Sequence, residues 1–282
     1  MTLQKRIERA RRGTFRRWKR FRQRIVPKPA NKNVFLIVGC QRSGTTLMSR
    51  IFERDYNTIS FGEASVLSTT SGPSRLRLRS LDDVESRITD ARARFIVMKP
   101  LVESQNVSAL LDHFPDSRAL WLYRNYRDVA ASNLAKFGDA NSTKDIRIIA
   151  EGDPGNWRRE SLSDELVELA RSQYSPDMRP ADAAVLFWII RNRLYFDLAL
   201  NTDPRLQLCR YESLTTTPAL VMRRIYEFAG QPYPGDHITT GTHPDSISKG
   251  RELEISRDID ELADSMLSRL DAEWDREQAM KI

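Results

Sequence analysis

The sequence predicts an α/β fold, a single domain whose central parallel sheet is flanked by helices. Short runs of consecutive apolar, often β-branched residues recur along the chain, as in strands buried on both faces of a sheet. Stretches with helical periodicity separate these runs, which is the pattern of a parallel sheet with crossover helices. The 282 residues, of which 40% are hydrophobic and 29% charged, suit a globular protein of one large or two small domains.

The first predicted strand, Val34–Val38, leads directly into a glycine-flanked turn and then a helix. The turn reads Gly39-Cys-Gln-Arg-Ser-Gly-Thr-Thr46, and apolar residues recur in the helix after it. A strand, a glycine turn and a helix start direct backbone N–H groups and the positive end of the helix dipole at one anion. The spacing departs from the nucleotide-binding loop G-x-x-x-x-G-K-[ST], because Thr45 stands in the place of the lysine.

Three later predicted strands each end in a cation. Phe95–Met98 runs into Lys99, Ala119–Tyr123 into Arg124, and Leu206–Cys209 into Arg210. The carboxyl ends of parallel strands meet at one edge of a sheet, where ligands bind in open α/β folds. A nucleotide hydrolase of this kind needs the loop lysine and an acidic group that helps to hold Mg²⁺. We therefore expect a phosphate whose charge is balanced by Arg and Lys, including Arg42 of the turn.

The remaining elements follow from periodicity and from residues typical of helix ends. Helices are predicted over Leu81–Arg94, Val102–His113, Arg127–Phe137, Ser163–Ser172, Ala181–Leu200, Thr217–Ala229 and Asp258–Met280. Residues 57–61 are interpreted as a connection to Gly62 and Glu63, and Asp236–Glu254 as largely loop. Residues 138–161 show no periodicity and are predicted as a long loop, which is usually functional or disordered.

The two cysteines and the absence of long apolar runs bear on location. Cys40 and Cys209 form no disulfide framework and suit a reducing compartment, where each is expected to be a small buried side chain. No stretch of about 18 apolar residues indicates a membrane-spanning helix. No secretory signal is recognisable either, so the protein is expected to be cytoplasmic.

The net charge of +7 is unevenly distributed. Met1–Lys28 carries 12 Lys and Arg against one acidic residue, a net +11, while the other 254 residues carry 33 against 37, a net −4. This basic segment, 1–28, precedes the domain predicted over 33–282. Its apolar residues at helical spacing are Leu3, Ile7, Ala10, Trp18, Phe21 and Ile25.

A basic amphipathic helix with Trp and Phe suits an anionic membrane surface, so peripheral membrane association is one hypothesis for residues 1–28. A solvated arm, a helix packed on its own domain or on a partner subunit, and an Arg-rich transit peptide remain open. Nucleic acid is not expected as a partner, because the rest of the chain is acidic and carries no nucleic-acid-binding motif.

Five short motifs occur in order along the chain. They are CQRSGTT at Cys40–Thr46, FGE at Phe61–Glu63, KP at Lys99-Pro100, YRNYRDVAAS at Tyr123–Ser132 and RYESL at Arg210–Leu214. In this order they resemble the sulfotransferases that use 3′-phosphoadenosine 5′-phosphosulfate (PAPS). The resemblance implies a P-loop-like sulfotransferase fold and transfer of a sulfuryl group to a hydroxyl of a small-molecule, lipid or glycan acceptor. It also implies adenosine 3′,5′-bisphosphate (PAP) as product and no metal, and it leaves amine acceptors open.

The resemblance also implies which residues hold the donor. The 5′-phosphosulfate loop corresponds to Arg42, Ser43, Gly44, Thr45 and Thr46. The 3′-phosphate ligands correspond to Arg124 and Ser132, the adenine neighbour to Tyr211, and a late basic loop, more loosely, to Lys249, Gly250 and Arg251. From the residues alone, an Arg124–Asp128 ion pair, simple packing of Tyr211 and a solvated basic run at 249–251 remain open.

The same resemblance assigns the chemistry. Some family members use a histidine two residues after the position of Lys99, but Leu101 stands there. Other members use a glutamate in a G-E motif, which Glu63 matches, so Glu63 is the candidate general base. Lys99 and Arg42 would stabilise the transferring sulfate, and contacts to the acceptor are expected from residues 64–75 and 138–161, including Trp157. A purely surface role for Glu63 remains open.

Two other functions remain open from the sequence. A nucleotide kinase with a degenerate P-loop would bind ATP with Mg²⁺. A non-catalytic, membrane-associated protein would keep the fold and bind nucleotide without turnover.

Overall fold

The computed structural model describes residues 13–15, 17–19, 21–25, 27–72, 75–245, 247–250 and 252–279. Five strands form one parallel sheet in the order β2-β3-β1-β4-β5. They are β1 (Asn33–Gly39), β2 (Thr58–Phe61), β3 (Phe95–Met98), β4 (Arg118–Tyr123) and β5 (Leu206–Arg210). The predicted α/β class with a central parallel sheet is confirmed.

Helices connect the strands and cover both faces of the sheet. They are α1 (Thr45–Glu53), α2 (Leu81–Asp90), α3 (Val107–His113), α4 (Tyr126–Phe137), α5 (Asp139–Glu151), α6 (Asp164–Gln173), α7 (Pro180–Asp197), α8 (Tyr211–Thr216), α9 (Pro218–Phe228) and α10 (Arg257–Ala279). Three short 3₁₀ helices lie at Leu101–Asn106, Leu200–Thr202 and Asp236–Thr239. Residues 13–15, 17–19 and 21–25 are also helical, and we call them the amino-terminal helical segment.

The central strand β1 is buried on both faces, which explains its uninterrupted apolar sequence. Phe35 and Ile37 pack on one side with residues of α1 and α9. Leu36 and Val38 pack on the other side with residues of α3, α4, α5, α7 and α10. Successive side chains of a strand alternate between faces, so one strand anchors two separate apolar cores.

The connections after β1 and β4 leave the sheet on opposite faces. The helix after β1, α1, belongs to one core, whereas the helix after β4, α4, belongs to the other. Since β1 and β4 are neighbours, a crevice opens between them at their carboxyl ends, which is where open α/β sheets bind ligands.

Two expectations about elements are wrong. Residues 58–61 form the edge strand β2, which pairs with β3. Residues 139–151, expected within a long loop, form the helix α5. Its buried residues include Ile146, Ile149 and Ala150. Burial of these side chains against the core stabilises the helix, whereas the polar first half of its sequence does not indicate a helix. The irregular part of the expected loop is reduced to about residues 152–163.

Several residues of the predicted features lie outside the described part of the chain. Residues 1–12, Arg251 and the last three residues are not described, so the apolar pattern of Leu3, Ile7 and Ala10 lies there. The domain boundary near residue 28 stays a prediction. In the described part of the chain, every helix is too short or too polar to cross a bilayer.

Candidate active site

The turn after β1 has a backbone conformation that few sequences tolerate. Arg42 has φ 69°, in the left-handed region that non-glycine residues rarely occupy. Gly44 has φ 93° and is followed directly by α1. A Cβ at Gly44 would overlap the ring of Tyr211. Only glycine fits between the turn and this ring, so the glycine of the motif brings the loop against the start of α8.

Among the described residues, none caps the amino terminus of α1 with its side chain. Gly44 provides no side-chain cap, and the first turn has no acidic residue. Ser43 is fully buried, and its Oγ has no hydrogen-bond partner. Thr45 is buried at the first position of the helix, whereas Thr46 is exposed. Open backbone N–H groups, a positive dipole end and an unsatisfied buried hydroxyl together fit an anion.

Arg42 and Ser132 meet across the crevice, although 90 residues separate them in sequence. The guanidinium of Arg42 donates from Nε and Nη2 to Ser132 Oγ at 3.1 and 2.9 Å. Burial and the neighbouring charge of Arg124 lower the pKa of Arg42 from its ordinary value, while Glu63 acts in the opposite direction. Two guanidinium groups therefore share one partly buried place, where an anion would relieve their repulsion.

Arg124 is held from several sides at the carboxyl end of β4. It is 5% exposed, and its Nη2 lies 3.3 Å from Asp128 Oδ2, so the ion pair left open by the sequence does form. The guanidinium carbon lies 4.4 Å from the centre of the Tyr211 ring, a cation–π contact. The backbone carbonyl of Arg124 accepts a hydrogen bond from Trp188 Nε1 at 3.0 Å. The ion pair and the contact with Tyr211 fix the orientation of the side chain.

A second charged group lies beside the turn, at the carboxyl end of β3. Lys99 Nζ donates to Glu63 Oε1 at 2.6 Å and to Thr46 Oγ1 at 3.2 Å. Lys99 is almost buried, with 9% of its side chain exposed, whereas 25% of the Glu63 side chain is exposed. The lysine therefore links the anion loop to a glutamate that solvent reaches.

The late loop reaches the same end of the sheet through Asp128. Its carboxylate accepts hydrogen bonds from the backbone N–H groups of Ser248 and Gly250 at 2.8 and 2.9 Å. A Cβ at Gly250 would overlap the backbone of Arg127, so glycine allows this close approach. Gly250 is buried and Lys249 is exposed. A cavity of about 300 Å³ beside the loop is lined by Asn125, Arg127, Asp128, Arg210, Glu212, Ile247, Ser248 and Leu267.

A polar network around the 3₁₀ helix after β3 carries no sequence signal and was not predicted. Arg77 Nε lies 2.7 Å from Glu103 Oε1, and its Nη1 lies 2.6 Å from Glu160 Oε2. Gln105 Nε2 also donates to Glu160 Oε2 at 2.7 Å. These contacts join Arg77 and Glu160 to the 3₁₀ helix after β3. The N–H of Thr69 donates to the carbonyl of Arg77 at 2.9 Å. The network therefore connects the two segments expected to contact the acceptor, 64–75 and 138–161, to the helix that follows Lys99.

The structure brings most of the predicted residues to one end of the sheet. The 42–46 turn, Arg124, Ser132 and Tyr211 surround the crevice, and Lys99 and Glu63 adjoin it through Thr46. Arg210 lies at the same end of the sheet, where it lines the cavity beside the 247–250 loop, and its guanidinium is 3.8 Å from Glu212 and 3.5 Å from Asp271. Among the described residues, no group of three or more His, Cys, Asp or Glu side chains is arranged to hold a metal ion.

Comparison with known proteins gives one family. The Sulfotransferase domain family matches residues 32–269. A similar solved structure is the sulfotransferase domain from the curacin biosynthetic pathway, with 15% identity, 86% of this chain and 99% of that chain covered, and a TM-score of 0.55.

Two further solved structures are similar. The sulfotransferase domain from the Synechococcus PCC 7002 olefin synthase has 17% identity, covers 86% of this chain and 97% of its own, and gives a TM-score of 0.49. The sulfotransferase from Alicyclobacillus acidocaldarius has 19% identity, covers 88% and 96%, and gives a TM-score of 0.48. A search of curated proteins gave no significant match.

Proposed function

Because the chain belongs to the Sulfotransferase domain family, we propose that it moves a sulfuryl group from PAPS to a hydroxyl group of an acceptor. One observation carries the choice of donor. Arg42 of the turn after β1 hydrogen-bonds Ser132 of α4, beside Arg124. A donor with a phosphosulfate at one end and a 3′-phosphate at the other needs cations on both sides of one crevice.

The residues of the crevice fit such a donor. Backbone N–H groups at the start of α1, with the buried Ser43 hydroxyl, would bind the 5′-phosphate. Arg124 and Ser132 would bind the 3′-phosphate, and Tyr211, stacked on Arg124, would flank the adenine. Gly250 and its neighbours, held by Asp128, would close over the 3′-phosphate side.

In the proposed reaction, Glu63 takes the proton of the acceptor hydroxyl while that oxygen forms a bond to sulfur. The bond between sulfur and the oxygen of the 5′-phosphate breaks, and PAP leaves with the electron pair. Lys99 lies between Glu63 and Thr46, so its positive charge can stabilise the negative charge that develops on the sulfate and the leaving oxygen. Arg42 contributes purely electrostatically, because a guanidinium keeps its proton at neutral pH.

The acceptor is proposed to enter beside Glu63, between residues 64–75 and 152–162. Arg77 pairs with Glu160 of the second segment, and its backbone carbonyl accepts a hydrogen bond from the N–H of Thr69 in the first. A small molecule, a lipid or a glycan with a free hydroxyl is compatible with this entrance.

The test incubates the full chain with radiolabelled PAPS and a panel of phenolic, glycan and lipid acceptors, and measures PAP binding separately. We expect labelled product, and we expect Glu63→Gln to lower kcat about 10²- to 10⁴-fold while PAP binding persists. Glu261→Gln, on the exposed side of α10, is the matched control.

Other outcomes identify the alternatives. No labelled product together with no affinity for PAP would overturn the proposal. PAP binding without transfer to any acceptor would favour the non-catalytic binder. Binding of ATP only with Mg²⁺ would favour the nucleotide kinase.

A further inference from the structure

The amino-terminal helical segment exposes large apolar side chains along one stripe. Trp18, Phe21 and Ile25 are 56%, 54% and 68% exposed. They lie three and four residues apart, and the Trp18 and Phe21 rings stack with centroids 5.7 Å apart. Arg17 and Arg24, on the same segment, are also exposed. Such an apolar stripe bordered by arginines is typical of helices that lie in a membrane interface.

A different stripe of the same segment packs on the domain. Lys19 Nζ donates to the carbonyl of Glu53 at 2.7 Å, and Gln23 Nε2 donates to the carbonyl of Tyr56 at 3.1 Å. The rings of Phe15 and Tyr56 lie 4.9 Å apart. Phe15, Lys19 and Gln23 follow each other at four-residue intervals and so share one side of the helix. The segment is therefore held on the domain with its apolar stripe directed outward.

These contacts lie at the end of the sheet opposite the candidate active site. Glu53 ends α1, which runs back from the anion loop, and Tyr56 lies two residues before β2. Arg92, just before β3, donates to the carbonyl of Arg24 at 3.0 Å. The segment thus lies at the amino ends of β2 and β3, whereas Arg42, Lys99 and Arg124 stand at carboxyl ends.

The charge of the chain indicates what covers the stripe. Residues 1–28 carry a net +11 and the remaining 254 residues a net −4. A second copy of this chain would bring another strongly basic segment against the first, which is unfavourable. An anionic lipid surface complements both the basic charge and the exposed indole and phenyl rings.

We propose that Trp18, Phe21 and Ile25 insert into an anionic membrane interface and that the active-site end of the sheet then faces away from the bilayer. This inference is independent of the proposed reaction. It has a consequence for the acceptor, which reaches Glu63 from the aqueous side rather than from the lipid beneath the protein.

The first test measures co-sedimentation of the full chain with phosphatidylcholine vesicles, with and without about one-third phosphatidylserine. Wild type should bind only the anionic vesicles, and salt should weaken binding. The variant W18S/F21S/I25S should bind about tenfold more weakly or worse. Leu220→Ser, which removes a half-exposed apolar residue from α9, is the matched control and should bind like wild type.

Three results would overturn the membrane proposal: no binding of wild type to anionic vesicles, unchanged binding of the triple variant, or a wild-type dimer that the triple variant converts to monomer. Light scattering reports the oligomer, and circular dichroism confirms that the variant is folded. Hydrogen exchange on vesicles tests the orientation. Residues 13–25 should gain protection while residues 62–69 and 247–250 do not, and protection of those loops would contradict it.

Discussion

At the scale of single residues, the crevice concentrates positive charge before any ligand arrives. Burial and the charge of Arg124 lower the pKa of Arg42, and Lys99 lies on the far side of the same turn. Within the crevice, Asp128 pairs with Arg124 and Glu63 with Lys99, while Arg42 donates to the neutral Ser132. This charge distribution favours a ligand with several negative charges, one of them beside Arg42.

Gly44 offers a residue-scale test of the loop. A Cβ at this position would overlap the Tyr211 ring, and φ 93° strains any other residue. We expect Gly44→Ala to lower PAP affinity at least tenfold and to destabilise the fold by about 1–3 kcal/mol. Isothermal titration with PAP and thermal unfolding measure the two effects.

The control for Gly44 separates strain from overlap. Gly230 also has a positive φ, 62°, but a Cβ there would meet no atom within 4 Å. Gly230→Ala should therefore cost about 1 kcal/mol of stability and leave PAP affinity unchanged. Equal loss of affinity in the two variants would show that the ring contact does not shape the site.

Cys40 gives a pH dependence with a defined sign. Burial raises the pKa of its thiol from 9.0 to about 12. Well below pH 9 the thiol is neutral in both the folded and the unfolded state, so its contribution to the free energy of unfolding is fully present there. Above pH 9 the unfolded state ionises and the folded state does not, so stability falls until about pH 12. Between pH 8 and 10 the loss should be about 1 kcal/mol.

The measurement compares wild type with Cys40→Ala, because other groups titrate in both proteins. Denaturant unfolding at pH 8 and pH 10 gives the free energy of unfolding of each. The stability advantage of wild type should shrink by about 1 kcal/mol at the higher pH. An advantage that is the same at both values would mean that Cys40 ionises in the folded protein as easily as in the unfolded chain.

At the scale of elements, Arg77 holds together the segments where the acceptor is proposed to bind. Its guanidinium bridges Glu103 of the 3₁₀ helix and Glu160 of the irregular segment. We expect Arg77→Ala to raise the acceptor KM about tenfold or more, because freed segments misplace the acceptor. PAP affinity should change little, since the donor crevice lies on other elements.

Arg87 in α2 provides the matched control for Arg77. It is more exposed, with 39% of its side chain accessible, and pairs with Asp83 at 2.9 Å. Arg87→Ala should leave both constants near wild type. If Arg77→Ala weakens PAP binding as much as it raises the acceptor KM, the network supports the whole site and not the acceptor side.

The strands that the sequence predicts well are those whose residues are almost all buried. β1, β3 and β4 are almost wholly buried, so their apolar runs were recognisable. The edge strand β2 has only four residues, three of them partly exposed, and pairing with β3 decides its conformation. Helix α5 depends on Ile146 and Ile149 meeting the core, and such long-range burial leaves little local signal.

Some contacts of the candidate site could likewise be expected from the local sequence, and others could not. The convergence of Arg42, Ser132, Arg124 and Lys99 at one end of the sheet was predictable, because they belong to motifs with fixed order and lie at or just after strand ends. The Asp128 contacts to the 247–250 loop join residues about 120 positions apart. No local pattern reports such a contact.

At the scale of the whole molecule, side chains from the amino-terminal helical segment and from α10 contact the two edge strands of the sheet. Gln23 Nε2 reaches the carbonyl of Thr58 in β2 at 3.4 Å. At the other edge, the carboxylate of Glu277 in α10 accepts from the N–H of Leu208 in β5 at 3.1–3.2 Å. Unpaired edge groups invite association with other chains, so these helices protect the sheet while the crevice stays open between β1 and β4.

The donor would join parts of the chain that are far apart, so its binding should stabilise the whole molecule. If PAP bridges the turn after β1, Arg124 after β4 and the 247–250 loop as proposed, it should bind only the folded state. At a concentration of 100 times its Kd it should add about 2.7 kcal/mol to the free energy of unfolding. Thermal unfolding should show a smaller shift with 5′-AMP at the same concentration, because it lacks the 3′-phosphate that Arg124 and Ser132 are proposed to bind.

Metal removal completes this test, because Arg42, Arg124 and Lys99 can neutralise the phosphates without Mg²⁺. The stabilisation by PAP, and transfer from PAPS, should therefore be unchanged by EDTA. A shift that needs Mg²⁺, or an equal shift with 5′-AMP, would contradict the assignment of these cations. A shift that needs Mg²⁺ would favour the nucleotide kinase. An equal shift with 5′-AMP would mean that Arg124 and Ser132 do not bind the donor, although the loop after β1 could still bind its 5′-phosphate.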